Sequence, residues 1–121
     1  MAERRMFAKT IIESDIFLDM PRTAQALYFH LAMHADDDGF VTNPRTILRM
    51  TNANNGDFTM LIIKHLIIPF KSGRIAIRHW YVHNYIRKDR YKETACKVEK
   101  ERLKLNEYNV YELKDIADSE G

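Results

Sequence analysis

Between residues 24 and 35 the apolar positions Ala24, Leu27, Tyr28, Leu31 and Ala35 recur every three or four residues, the spacing that lays one stripe along a helix. Pro21 suits a first turn, where its missing N–H costs nothing, and Gly39 lies beyond the far end, so the pattern predicts a first helix near 21–35. Ala26, Phe29 and Met33 form a second, narrower apolar stripe roughly opposite the first. That stripe needs a partner of its own. The N-terminal arm, with Met6, Phe7, Ile11 and Ile12, is the first candidate, and a second copy of the chain is the other; in that case Phe7, Ala26, Phe29 and Met33 are the self-association residues.

Asn43-Pro44 repeats the start signal and leads into a short second helix with Ile47 and Leu48 inward. Asn54 can cap a third helix, with Asp57 three positions on as a shortened capping-box partner and Phe58, Leu61, Ile62 and Leu66 as the buried face. Gly56 in its first turn costs about 1 kcal/mol against Ala and is expected to fray that end.

From Ile67 the period changes to two. Ile67 to Phe70, a Lys71-Ser72-Gly73 turn and Arg74 to Trp80 read as a hairpin, with Ile75 and Ile77 on one face and Arg74, Ala76 and Arg78 on a basic, outward face. Pro69 fits an edge strand, and Phe40-Val41 is long enough for a third short strand. The expected fold is therefore α+β, a winged helix-turn-helix in the order helix, strand, helix, helix, β-hairpin. Residues 1–92 would form this domain with its arm, and 93–121 a C-terminal helix, acidic tail or linker.

Composition changes this picture only through the distribution of charge. The 121 residues suit one domain, 45% of them are apolar, and the net charge is +2. Residues 71–104, however, carry +7, against −1 over 1–70 and −4 over 105–121. Such a block attracts phosphate whatever the total. Its cations Lys71, Arg74, Arg78, Arg87, Lys88, Arg90 and Lys92 interleave with Trp80, Tyr81, Tyr85 and Tyr91, a pattern that suits nucleic acid; Trp80 itself reads better as core. On the third helix Asn55, Thr59 and Lys64 face outward, a weak base-reading set that Arg45 and Arg49 of the second helix would supplement.

Other chemistry is poorly supported. His30 and His34 have the spacing of two helical zinc ligands but lack the intervening Glu and a third ligand. Asp36-Asp37-Asp38-Gly39 lacks the alternation and terminal Glu of a calcium loop and reads as a polar turn. A lone Cys96, no phosphate-cradling glycine loop and no nucleophile elbow argue against an enzyme, and no cofactor or metal is expected. No stretch approaches the roughly eighteen apolar residues of a membrane span, so a cytoplasmic protein is expected.

The run from Phe7 to Asp15, Phe17-Leu18-Asp19-Met20-Pro21, Ala24 to Leu31, Ala35 to Val41, and then Ile75 to Trp80 with His83 to Tyr91 resembles the N-terminal domain of phage replisome organisers. These are DnaD-like replication-initiation proteins of phages and prophages of Gram-positive bacteria. The resemblance covers about residues 5–92. It implies a winged-helix domain, DNA as partner, self-association into a homo-oligomer, and a role in bringing a host replicative helicase or its loader to phage DNA.

Overall fold

The structure, a computed structural model, describes residues 4–114. Residues 115–121 of the expected acidic tail lie outside them. The arm contributes two single-turn helices, α1 (Lys9–Ile12) and α2 (Asp15–Leu18), the second started by Ser14, whose Oγ accepts from the Phe17 N–H at 3.2 Å. The main helix α3 (Arg22–Met33) follows, with Pro21 at its N-cap, and buries Ala24, Leu27, Tyr28 and Leu31 as the apolar period requires. Strand β1 (Phe40–Val41) leads to α4 (Pro44–Met50) and α5 (Asn55–Ile63).

The capping box at α5 closes in both directions. Asn54 Oδ1 accepts from the Asp57 N–H at 2.8 Å, and Asp57 Oδ2 accepts from the Asn54 N–H at 3.2 Å. Thr23 Oγ1 of α3 also donates to Asp57 Oδ1 at 2.8 Å. The turn that holds Gly56 is thus anchored to the neighbouring helix, which offsets the entropy a glycine loses there.

Strands β2 (Ile67–Pro69) and β3 (Ile75–Ile77) join β1 in an antiparallel sheet of order β1-β3-β2, with Phe40 and Ile68 both opposite Ala76. Pro69 therefore sits on an edge strand, where its absent N–H breaks no ladder bond. A one-turn helix α6 (Trp80–His83) begins where the sequence pattern extended the strand, with His79 at its N-cap. Beyond it lie α7 (Lys97–Lys100) and a second hairpin of β4 (Leu103–Leu105) and β5 (Tyr111–Leu113). The architecture is α+β.

Two expectations are corrected. The described part of 93–121 is not a tail or linker: Cys96, Leu103 and Tyr111 are buried in the same core as α3 and the sheet, and the Tyr111 N–H donates to the Arg78 carbonyl at 2.9 Å. In consequence, the Arg74-Ala76-Arg78 face of β3 is not an open basic face. Ala76 is fully buried, and Phe40, on that same face by its pairing, lies 6.1 Å from the Tyr111 ring. With α3 to α5 on one side and the C-terminal segment on the other, the sheet is covered on both faces. All three β3 residues are accordingly buried instead of alternating.

The arm packs back on α3. Phe7 meets Phe29 edge to face at 4.9 Å, and Phe17 lies 5.5 Å from the same ring, so the centre of the second stripe is filled from within the chain. Its outer members Ala26 and Met33 remain exposed.

Candidate nucleic-acid interface

The twelve residues proposed for DNA contact fall into three groups. On α4 and α5, Arg45, Arg49, Asn55, Thr59 and Lys64 are all exposed. Arg45 and Arg49 flank a shallow cleft of about 350 Å³ that also takes in Asn54 and Asn55 at the start of α5. Their guanidinium groups have no ion-pair partner among the described residues. Asp57, the acid of this region, is turned inward to the cap and Thr23.

In the second group, the β2–β3 hairpin, the expected cations divide. Lys71 at the tip is exposed. Arg74 pairs with Glu99 of α7 at 3.4 Å, and Arg78 donates to the Tyr111 carbonyl at 2.9 Å. These two fasten the C-terminal segment to the sheet, although Arg74 keeps 39% of its side chain in solvent. Alternation along β3 predicts a basic outer face only where no second layer covers it, and sequence alone does not reveal that layer.

The third group is the segment after α6. Arg87, Lys88, Arg90 and Lys92 are exposed, and Arg87 and Lys92 lie with Arg90 along a groove of about 820 Å³. The opposite wall is the arm, through Arg4, Arg5 and Met6. Arg87 makes one open pair with Asp89 at 3.1 Å, both side chains more than 60% exposed, a contact of little energetic weight. Tyr85, on the same lip, is 77% exposed.

The turn Asp36–Gly39 holds this groove in shape. Asp38, 1% exposed, accepts from Tyr81 Oη at 2.6 Å, Tyr91 Oη at 2.7 Å and the Thr94 N–H at 2.9 Å, with Lys100 Nζ at 3.5 Å. Burial opposes its ionisation, but those three hydrogen bonds and the Lys100 charge outweigh it and hold the carboxyl below the ordinary aspartate range. Asp37 takes Arg5 at 3.4 Å and the Lys92 N–H at 3.0 Å, while its carbonyl accepts from Trp80 Nε1 at 2.9 Å. Asp36 accepts from Thr94 Oγ1 and from the Phe40 N–H. The acids are therefore consumed internally, and the cations around them are left facing solvent.

The arm is pinned at two further points. Asn84 Oδ1 accepts from the Met6 N–H at 2.9 Å, and His83 Nδ1 from the Ala8 N–H at 2.8 Å. Because Nδ1 accepts, the neutral ring carries its proton on Nε2, which donates to Tyr28 Oη at 2.6 Å. Burial lowers the His83 pKa to about 4, with neighbouring His79 acting in the same direction.

No protein-family model, curated protein or solved structure matches the chain. Among the described residues, no group of three or more His, Cys, Asp or Glu side chains could hold a metal ion, and no helix is long and apolar enough to cross a membrane. His30 and His34 are exposed, and His34 Nδ1 lies 2.9 Å from the His30 carbonyl. Arg4, Arg5 and Asn84 carry no sequence signal of a place in this groove. The arm's two arginines lie some eighty residues from the segment they face, and no periodic pattern signals that meeting.

Proposed function

We propose that the chain is a winged-helix nucleic-acid-binding module that presents α5 to duplex DNA and grips flanking phosphate through Arg45, Arg49, Lys64 and Lys71. The observation that carries this reading is the exposed α4–α5 surface, whose charged groups are cationic and unpaired among the described residues while its acid is buried in the helix cap. The element order α3-β1-α4-α5-β2-β3 and the sheet order β1-β3-β2 support it, since a short turn between two helices with a hairpin beyond is how this fold offers a helix to the major groove. The resemblance to phage replisome organisers adds the biological role: replication initiation in the cytoplasm, as a homo-oligomer that brings a replicative helicase or its loader to DNA. No chemical step belongs to this reading.

The test is a fluorescence-anisotropy titration of duplex DNA with Arg45→Ala/Arg49→Ala. Affinity is expected to fall at least about tenfold, and the dependence of log affinity on log salt to flatten by about 2, one step per lost phosphate contact. Unchanged affinity would remove these residues from the interface.

A second reading, an assembly module with little DNA binding of its own, draws on Met50 and Ile63, each 62% exposed at the ends of α4 and α5, and on exposed Met33. Under it, light scattering would show a concentration-dependent oligomer that Met33→Asp or Ile63→Asp converts to monomer, and duplex DNA would not be retained at low salt.

A further inference from the structure

Two buried donors beside the large groove have no acceptor among the described residues. Asn84 is 6% exposed and spends its Oδ1 on the Met6 N–H, which fixes the amide orientation and leaves Nδ2 unpaired. Arg5, its side chain 1% exposed, bonds through its terminal nitrogens to Asp37 and the Ala35 carbonyl and leaves Nε unpaired. Both residues line the groove. Both atoms carry almost no accessible surface, so a ligand in the groove would meet its exposed groups instead. Arg4, Arg87, Arg90 and Lys92 surround them with positive charge, while of the lining acids Asp36 is engaged by Thr94 and Asp37 by Arg5, and half-exposed Glu93 shares Lys100. Tyr85 stands open on the lip.

We infer that this groove is a second nucleic-acid site, separate from the α4–α5 face, which binds a single strand with its phosphates along Arg4, Arg87, Arg90 and Lys92 and a base stacked on Tyr85. The inference rests on the reading of the chain as a nucleic-acid binder and names which form goes where. The open aromatic decides for the single strand: unpaired bases can stack on Tyr85, whereas the bases of a duplex are already stacked on one another, and about 820 Å³ has room for a few nucleotides. The exposed aromatic decides against an acidic peptide, because an exposed tyrosine costs apolar surface and gains most when a base covers it. The groove shares no lining residue with the cleft beside Arg45 and Arg49.

The experiment compares fluorescent oligo-dT with a duplex of equal length, at one salt concentration, against the full chain. Arg87→Ala/Arg90→Ala is expected to weaken oligo-dT more than about tenfold and to leave duplex affinity within about twofold. Tyr85→Ala should weaken oligo-dT about five- to hundredfold, Tyr85→Phe should restore it, and both should melt like the wild type because the side chain is exposed. Arg45→Ala/Arg49→Ala should give the opposite selectivity. Oligo-dT binding that ignores the groove variants, or that an oligoglutamate peptide competes as well as free oligo-dT, overturns the inference. A chain that binds duplex but no oligo-dT defeats this inference and leaves the preceding reading standing; one that binds oligo-dT through the groove but no duplex does the reverse.

Discussion

Two charged turns end in a glycine with nearly the same φ, Gly39 at +90° and Gly73 at +91°, yet they do opposite things. The acidic turn Asp36–Gly39 is drawn into the molecule: three aspartates collect donors from the arm, α6, residues 91–94 and α7, and a Cβ on Gly39 would lie 2.6 Å from Trp80 Cγ. The Lys71-Ser72-Gly73 turn stands in water, with nothing within 4 Å of the corresponding point on Gly73. What separates them is the supply of partners, not their own polarity. A carboxylate tolerates burial when tyrosine hydroxyls, backbone N–H groups and an ammonium surround it, and the neighbouring cations Arg87, Arg90 and Lys92 are left open to solvent.

The largest effect should come from Gly39→Ala. Left-handed strain and the clash with Trp80 add, so chemical denaturation is expected to show a loss of about 4 kcal/mol or no folded protein. Gly73→Ala, which carries the strain without the clash, makes the paired measurement that isolates the packing part. Asp38→Ala follows: it strands Tyr81, Tyr91 and Thr94 donors together and should cost about 3 kcal/mol. If it costs no more than a surface substitution, the acidic turn is not a hub.

Acid should act through the same side of the molecule. His79 and His83 are both lowered to about 4, chiefly by burial, from an ordinary 6.5. As pH falls below 6.5 the unfolded chain takes up these protons first, so the stability gained by keeping both rings neutral is present above 6.5 and lost towards 4. Asp38 has the same sign at lower pH: its depressed pKa stabilises above 3.8, and that contribution drains away as pH drops below it. Thermal melts from pH 7 to 3 check both. A flat profile between 6.5 and 4 would show that His83 does not hold the arm.

The smallest stability effects belong to the open turn. Gly73→Ala should cost about 1 kcal/mol. Lys71→Ala should change stability by less than about 0.5 kcal/mol while flattening the salt dependence of duplex binding by about 0.9.

The helices and the first hairpin were legible because they carry strong local signals: the Ala24-to-Ala35 period, Asn43-Pro44, the Asn54/Asp57 box and Pro69 on an edge. The C-terminal layer was not. Cys96, Leu103 and Tyr111 are too sparse to form a period, although Leu103-Lys104-Leu105 and Tyr111-Glu112-Leu113 about an Asn-bounded turn do alternate. Missing that layer made Arg74 and Arg78 look free and the acidic turn look solvated. Of the candidate interface, Lys71 and residues 87–92 were readable from charge, and the α4–α5 cations from their outward positions on the predicted helices. The contribution of Arg4, Arg5 and Asn84 depends on an arm that folds across the chain to meet them.

The most direct test is duplex DNA affinity measured across a salt series on the wild-type chain. Four phosphate contacts, through Arg45, Arg49, Lys64 and Lys71, correspond to a log–log slope of about −4. A slope near zero, or no binding at low salt, would contradict the account.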